Sequence, residues 1–461
     1  MAFPLTERIF RLKERGATVR TEILGGATTF ITMAYIIVVN PAILSFAGIP
    51  QGPSTVATIL AAAFGSLLMG FYANRPIAVA PYMGENAFIA FGLAAMGIGW
   101  QMRLGSVFVS GLVFALITLL RIRSWLANSI SASLKHSFAV GIGLFLAFIG
   151  LYETGIVTSS VEGMAPQALI RGASSLLSAP DVPVKIGNLR SPQVLLAVLG
   201  FLLISFFLYH RVRGGILLGV AVTAVLGYIF GLGKSPQAVA AIPFVGKYSL
   251  TAIAFKLDIL GVLKLSFLPI LLTLFLMSFL DTLGTLVGVG AAGKMLDEKG
   301  NFPDIERPMM VDAASCMFSA LVGTSTSGAY IESATGIREG ARTGLAAVTT
   351  GMLFLAALFF IPLVEPLQQL RYAYGPALIA VGLLMMGSVT RIDFGDLTES
   401  IPAFATIVMM IFTYNIANGL TAGLVLYPLF KLVAGRAREL NAGAVVLSLL
   451  CLVYYIFGLP H

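Results

Sequence analysis

Apolar residues in this chain come in runs of about 20, the length a helix needs to span roughly 30 Å of hydrocarbon. The run 194–208 is apolar on every face. A β-barrel strand would instead alternate apolar and polar residues. Fourteen such runs can be drawn, at 22–44, 55–73, 77–95, 104–121, 136–157, 193–210, 213–232, 264–292, 309–324, 327–340, 343–364, 375–391, 400–417 and 419–434. A further apolar stretch, 441–459, is either a fifteenth crossing or an interfacial helix. Composition agrees: 58% of the 461 residues are hydrophobic and 11% charged, with a mean hydropathy of +0.93. Soluble domains carry about 25% charged residues. A disordered chain, a nucleic-acid-binding protein and an ordinary soluble enzyme are excluded. The expected fold class is an all-α polytopic membrane protein.

The net charge of +8 does not indicate a nucleic-acid partner, because the basic residues are dispersed among short loops in the positive-inside pattern. The N-terminal arm holds Arg8, Arg11, Lys13, Arg15 and Arg20. If the arm is cytoplasmic, Arg75, Arg123, Arg213, Lys299, Arg342, Arg391 and Arg436 fall on the same side, while loop 45–54 and the turn at 417–419 carry no Lys or Arg. The expectation is a multi-pass protein of the cell (inner) membrane with a cytoplasmic N-terminus. The arm lacks an apolar core, so no cleaved signal is expected. Cys316 and Cys451 lie in apolar runs, and His136 and His210 stand at run ends. Neither a disulfide framework nor a metal site is expected.

Two internal matches suggest a repeat. Ala80-Pro-Tyr-Met83 resembles Gly328-Ala-Tyr-Ile331, 248 residues later, and Tyr209–Gly219 resembles Tyr414–Gly423 at an offset of about 204. If spans 1–7 repeat as 8–14, the odd number of crossings inverts the second half, an arrangement typical of secondary transporters. In such proteins the substrate lies near the midplane, between short or broken helices at matching places. Spans 3 and 10 are the candidates. Both begin with Pro, Gly, Ser or Thr and then turn helical, and broken backbone at this depth is tolerated only where buried or lining a cavity. The helix N-termini would offer backbone N–H groups there. The plainer alternative is a pair of proline-kinked packing helices.

The 21 acidic residues fall mostly in loops, and Glu85, Asp281 and Glu332 are the ones read as well inside. A charge at the bilayer centre costs about 2.5–3.5 kcal/mol on insertion scales, and a buried carboxyl can take up and release a proton near neutral pH. The alternative is a carboxyl locked to a neighbouring amide or arginine. Gly284, Thr285 and Gly288 beside Asp281 are small enough to admit a close helix. Two further patterns mislead. The run Gly288–Lys294 fits a glycine-rich phosphate loop but ends a span, follows no strand and has Met295 where Ser or Thr is needed. Asp281 with Glu332 suggests an aspartyl protease, but the flanking glycines of that chemistry are missing. No enzyme activity or catalytic residue is expected.

Several long motifs, in order over roughly residues 10 to 440, resemble the purine branch of the nucleobase–cation symporter family, the hypoxanthine/guanine/adenine permeases. They are Thr28–Pro41, Met83-Gly-Glu-Asn-Ala-Phe88, Asp281-Thr-Leu-Gly-Thr-Leu286, Gly323-Thr-Ser-Thr326 with Tyr330-Ile-Glu-Ser-Ala334, and Ile401–Gly419. The resemblance implies a seven-plus-seven inverted repeat of 14 transmembrane segments like that of the uracil permease, with short strands from spans 3 and 10 pairing across the core. It implies an arm (1–21), a core domain (22–121 and 264–364), a gate domain (136–232 and 375–434) and an extra segment (441–459). The implied activity is uptake of a purine nucleobase coupled to protons, often by a homodimer, with no cofactor beyond the coupling proton. By motif position Glu332, Asp281 and Asn86 bind substrate, with Ala329, Tyr330 and Ile331 at the span 10 break. Asp281 or Glu85 would carry the proton, and Tyr330, Phe88 or Tyr82 could stack on the base. A carboxylate can accept from two N–H groups of a purine edge, and Asn86 offers a donor and an acceptor. Glu85 departs from the apolar residue usual in this branch, and Ser278 stands where many members carry a second acid. The alternative is an anion carrier of the same architecture, of the sulfate/bicarbonate type. Three acids argue against it, since a carboxylate repels an anion.

Overall fold

The structure, a computed structural model, describes residues 4–121, 125, 129–160, 184–296 and 302–457. Arg123, Lys299, most of loop 158–192 and positions 458–459 lie outside the described residues. Among the described residues nine helical stretches, from Val19–Ser45 to Ile416–Val433, are long and apolar enough to cross a membrane. Gly215–Ile229 and Leu397–Phe412 are shorter apolar helices, and Glu306–Val322 is a helix of 17 residues. Spans 3 and 10 are each part strand and part helix, so all fourteen apolar runs have a counterpart.

Span 3 contains strand β1, Val79–Pro81, followed by the half-helix Met83–Ala87. Two further short strands, β2 (Val157–Ser159) and β3 (Val184–Ile186), form a hairpin in the loop after span 5. Span 10 contains β4, Ser327–Ala329, followed by the half-helix Ser333–Arg338. β1 and β4 pair antiparallel, with Val79 opposite Ala329, Ala80 opposite Gly328 and Pro81 opposite Ser327. Two flanking bonds repeat each other: Tyr82 N–H donates to Thr326 C=O, and Tyr330 N–H donates to Ala78 C=O, both at 2.9 Å. Residues 248 apart therefore exchange places about an axis through the Ala80–Gly328 pair. This is the geometry of an inverted repeat, and it satisfies backbone groups that would otherwise be costly at this depth. The offset drops to about 204 later because the loop between Glu153 and Pro192 is much longer than the one between Met385 and Leu397.

The arm docks on one end of the bundle, hereafter the arm side. Phe10, Leu12 and Ala17 are buried against Leu345 and Val348, and Arg15 Nη1 donates to Asn74 C=O at 2.9 Å. Glu22, an acid beyond the three expected inside the membrane, is also fully buried. Its carboxylate accepts from the backbone N–H groups of Arg342, Thr343 and Ala346 at 2.7–3.2 Å. It thereby caps the helix Gly344–Ala357, satisfying orphan donors at its N-terminus.

The helix Ala442–Phe457 packs on Ile416–Val433 and touches Leu268–Ala292. The C-terminal apolar stretch thus stands among the membrane helices. Its 16 residues cover about 24 Å at 1.5 Å per residue.

Candidate functional site

The crossing of β1 and β4 gathers the acids named from sequence. Asp281 lies mid-way along Leu268–Ala292 and Glu332 immediately precedes the half-helix Ser333–Arg338, both partly exposed. Glu332 Oε1 accepts from the Tyr35 hydroxyl at 2.9 Å. Glu85 sits in the first turn of Met83–Ala87 and is 0% exposed, and neither of its carboxylate oxygens has a hydrogen-bond partner.

The count of internal acids needs a correction, because Asp312 is also fully buried. It lay close to the start of span 9 as drawn from sequence. The helix in fact begins at Glu306, and β4 folds back against it. Asp312 Oδ2 accepts from Ala329 N–H and from the Thr282 hydroxyl, both at 2.8 Å, while Oδ1 has no partner. None of Glu85, Asp281, Asp312 and Glu332 has an ion-pair partner among the described residues.

Asn86 is buried in an amide network. Its Nδ2 donates to Asn40 Oδ1 at 2.7 Å, and Asn40 Nδ2 donates to the hydroxyls of Thr58 and Thr324 at 2.8 and 2.9 Å. Asn86 Oδ1 has no partner. This network joins spans 1, 2 and 3 to the segment between spans 9 and 10. The three aromatic candidates are all buried. Tyr82 and Tyr330 stack on each other, and Phe88 lies with its ring close over Gly92. Tyr82 Oη is 3.1 Å from the Thr282 hydroxyl, and Tyr330 Oη donates to Pro81 C=O. Ala329 is buried within β4, whereas Ile331 is 61% exposed.

That exposure locates an opening. Asp281 shares its helix face with Gly284, Thr285 and Gly288, spaced three, four and seven residues on. The expectation that these small residues admit a neighbouring helix is not met at the two glycines: among the described residues, no atom of another element lies within 4 Å of where a Cβ at Gly284 or Gly288 would be. Open space therefore flanks this face of the helix at Gly284 and Gly288, on the C-terminal side of Asp281. The half-helix Ser333–Arg338 packs on Val19–Met33 and Leu268–Ala292, and an ion pair joins Glu339 beyond its end to Arg213. The other half-helix is packed differently. Met83–Ala87 lies on Ala132–Glu153, so close that a Cβ at Gly84 would stand 2.6 Å from Ile142 Cγ2. Beyond it an aromatic chain closes the far side: Phe46 to Phe91 at 5.3 Å, Phe91 to Tyr414 at 5.9 Å and Tyr414 to Phe145 at 5.2 Å between ring centroids. Arg371 extends it, over the Phe46 ring at 5.3 Å.

Comparison with known proteins agrees with this architecture. A model described as Permease family matches residues 20–421. An adenine permease of Escherichia coli is 38% identical over 458 residues, covering 99% of this chain and 97% of the relative. A guanine/hypoxanthine permease of Bacillus subtilis is 38% identical over 460 residues, covering 97% and 99%. The transmembrane domain of a cyanobacterial bicarbonate transporter superposes with a TM-score of 0.62 at 16% identity, over 88% of this chain and 97% of that one, a likeness of fold alone. The chain therefore belongs to the Permease family, in the branch that holds the adenine and guanine/hypoxanthine permeases, as a multi-pass membrane transporter and not an enzyme.

Proposed function

We propose that this protein imports a purine nucleobase by proton symport through alternating access. The observation that carries the reading is the set of carboxyl groups around the β1–β4 crossing, two of them opening to a gap, with no ion-pair partner among the described residues. A purine presents N–H donors on its edge, and a carboxylate accepts two of them at once. Glu332 and Asp281 face the opening and read that edge. Asn86, with its buried unpaired oxygen, sits further back. The relatives named as adenine and guanine/hypoxanthine permeases support the same substrate class.

Proton coupling follows from charge. Four acids gathered without a counter-cation among the described residues, in a low-dielectric site, cannot all ionise. An anion carrier of the same architecture is disfavoured for the same reason. The moving parts are a core (22–121 and 264–364) and a gate (136–232 and 375–434). The contacts of Met83–Ala87 with the gate helix Ala132–Glu153, and the aromatic closure at Tyr414, belong to a conformer shut on the far side. With the arm cytoplasmic, this reading makes the conformer an inward-facing one.

The test is uptake of labelled adenine, guanine, hypoxanthine, xanthine and uracil by proteoliposomes, with and without an inward proton gradient. Accumulation of a purine that depends on the gradient supports the reading. Bicarbonate or sulfate transport with no nucleobase uptake would replace it with the anion-carrier alternative.

A further inference from the structure

Glu85 is the least satisfied polar group at the crossing. It is 0% exposed, its two oxygens lack hydrogen-bond partners, and a well-packed interior rarely leaves a carboxyl so. Ser278, one turn before Asp281 on the facing helix, is 2% exposed, and its hydroxyl is also without a partner. Asp281 and Ser278 are the side chains that bear on Glu85 from that helix. Tyr82 stands on its own segment, Tyr330 on span 10, and Asp312 and Cys316 on span 9. The gate helix packed against it presents Ile142, with its ionisable residues Lys135, His136, Tyr152 and Glu153 near its two ends. Among the described residues, the groups around Glu85 are thus acids, phenols, a thiol and a hydroxyl, and no cation.

We infer that Glu85 and Asp281 form a carboxyl pair that holds a single proton between them, with Glu85 storing it while Asp281 stays ionised to accept from the purine. The inference rests on the purine–proton reading and assigns the coupled proton to a position. The half-helix Met83–Ala87 packs on Leu268–Ala292, so two like charges on these facing turns repel, one proton is retained, and it titrates as a property of the pair. The two members differ in access. Asp281 shares a face with the open stripe at Gly284 and Gly288, whereas Glu85 has no exposed surface. A purine donating N–H groups to Asp281 favours its ionised form and so drives the proton onto Glu85. Deprotonating Glu85 then leaves two adjacent anions beneath a bound base, which weakens binding. Purine and proton are thereby bound together without Glu85 touching the substrate, and Ser278 bears on Glu85 from the facing helix.

The test compares wild type, Glu85→Gln and Asp281→Asn in proteoliposomes and in detergent, with labelled hypoxanthine and adenine as probes. Glutamine mimics a permanently protonated Glu85. The expected Glu85→Gln protein binds purine with an affinity that no longer falls on the alkaline side. It exchanges internal for external purine, yet fails to accumulate purine under an inward proton gradient. Exchange shows that the variant is folded and loaded. Asp281→Asn is expected to weaken binding at every pH. A Glu85→Gln protein that accumulates purine under the gradient as wild type does, with the same alkaline fall in affinity, overturns the inference and leaves the purine reading intact. Wild type that neither binds nor exchanges a purine overturns both.

Discussion

The rings of Tyr82 and Tyr330 stack 6.3 Å apart and 9° from parallel, each one residue beyond the strand that precedes it. They are 248 residues apart and related by the axis through Ala80 and Gly328. Both hydroxyls are occupied, Tyr330 by Pro81 C=O and Tyr82 by the Thr282 side chain. The pair therefore pins the crossing, and Gly328 lies beneath it.

A methyl at Gly328 would collide with the Tyr82 hydroxyl. Gly328→Ala should push that ring away, break its contact with Thr282 and loosen the seat of Asp312. The expected cost is about 1–3 kcal/mol, the usual size for overpacking a tight core, and purine binding should weaken with it. Thermal unfolding in detergent and equilibrium binding of labelled purine measure both. A variant as stable as wild type would show that the strands shift freely at this point.

Glu332 is placed to offer a purine two acceptor oxygens while Tyr35 donates to one of them. Glu332→Gln keeps the shape but exchanges an acceptor for a donor, so a purine N–H would meet an amide N–H. Losing a hydrogen bond to a charged group is worth about 1.5–3 kcal/mol, which is roughly 10- to 150-fold in affinity. Tyr35→Phe should have a smaller effect, because the carboxylate remains. Normal binding by Glu332→Gln would remove it from the substrate site.

The opening on the arm side makes Ile331 a reporter, since it is 61% exposed beside buried Tyr330. Cys316 and Cys451, the two native cysteines, are buried. A cysteine introduced by Ile331→Cys should react with a membrane-impermeant thiol reagent applied to the arm side, react poorly from the far side, and be protected by purine. Faster labelling from the far side would reverse the assignment of the open face.

Much of the fold was legible because span length is set by bilayer thickness, and apolar runs announce it whatever they pack against. The breaks in spans 3 and 10 were legible because proline, glycine and serine disfavour helix at Pro76–Pro81 and Gly323–Gly328. That β1 and β4 pair in register 248 residues apart is a tertiary fact, visible in sequence only through the faint likeness of two tetrapeptides. Asp312 was missed because its run, read by hydropathy, starts at 309, while the helix starts at Glu306. Glu22 was passed over because its partners are about 320 residues away. The small residues Gly284 and Gly288 suggest a helix contact in sequence, yet among the described residues open space stands beside both. Periodicity says which residues share a face and is silent on what stands opposite.

A charged cluster ties together the helices Leu397–Phe412 and Ile416–Val433 and the turn that follows them. Arg436 Nη1 is 2.6 Å from Asp396 Oδ2, its Nη2 lies 2.8 Å from Glu439 Oε2, and buried Lys431 is 2.9 Å from the same Glu439 oxygen. Hydrogen bonds from Thr398, then from Arg436, hold Asp396 well below the usual carboxylate range, and Arg436 followed by Lys431 lowers Glu439. Carboxylates with lowered values stabilise the folded state above their unfolded values, about 3.9 for Asp and 4.3 for Glu. That contribution is lost as pH falls through the lower folded values. Thermal stability in detergent should therefore change little through this cluster between neutral pH and about 5, and fall below about 4. Arg436→Gln should flatten the acid fall, and added salt should shrink the difference between variant and wild type, because the groups are solvent-facing and screened. An Arg436→Gln protein with the full wild-type acid slope would assign that slope to carboxylates outside this cluster.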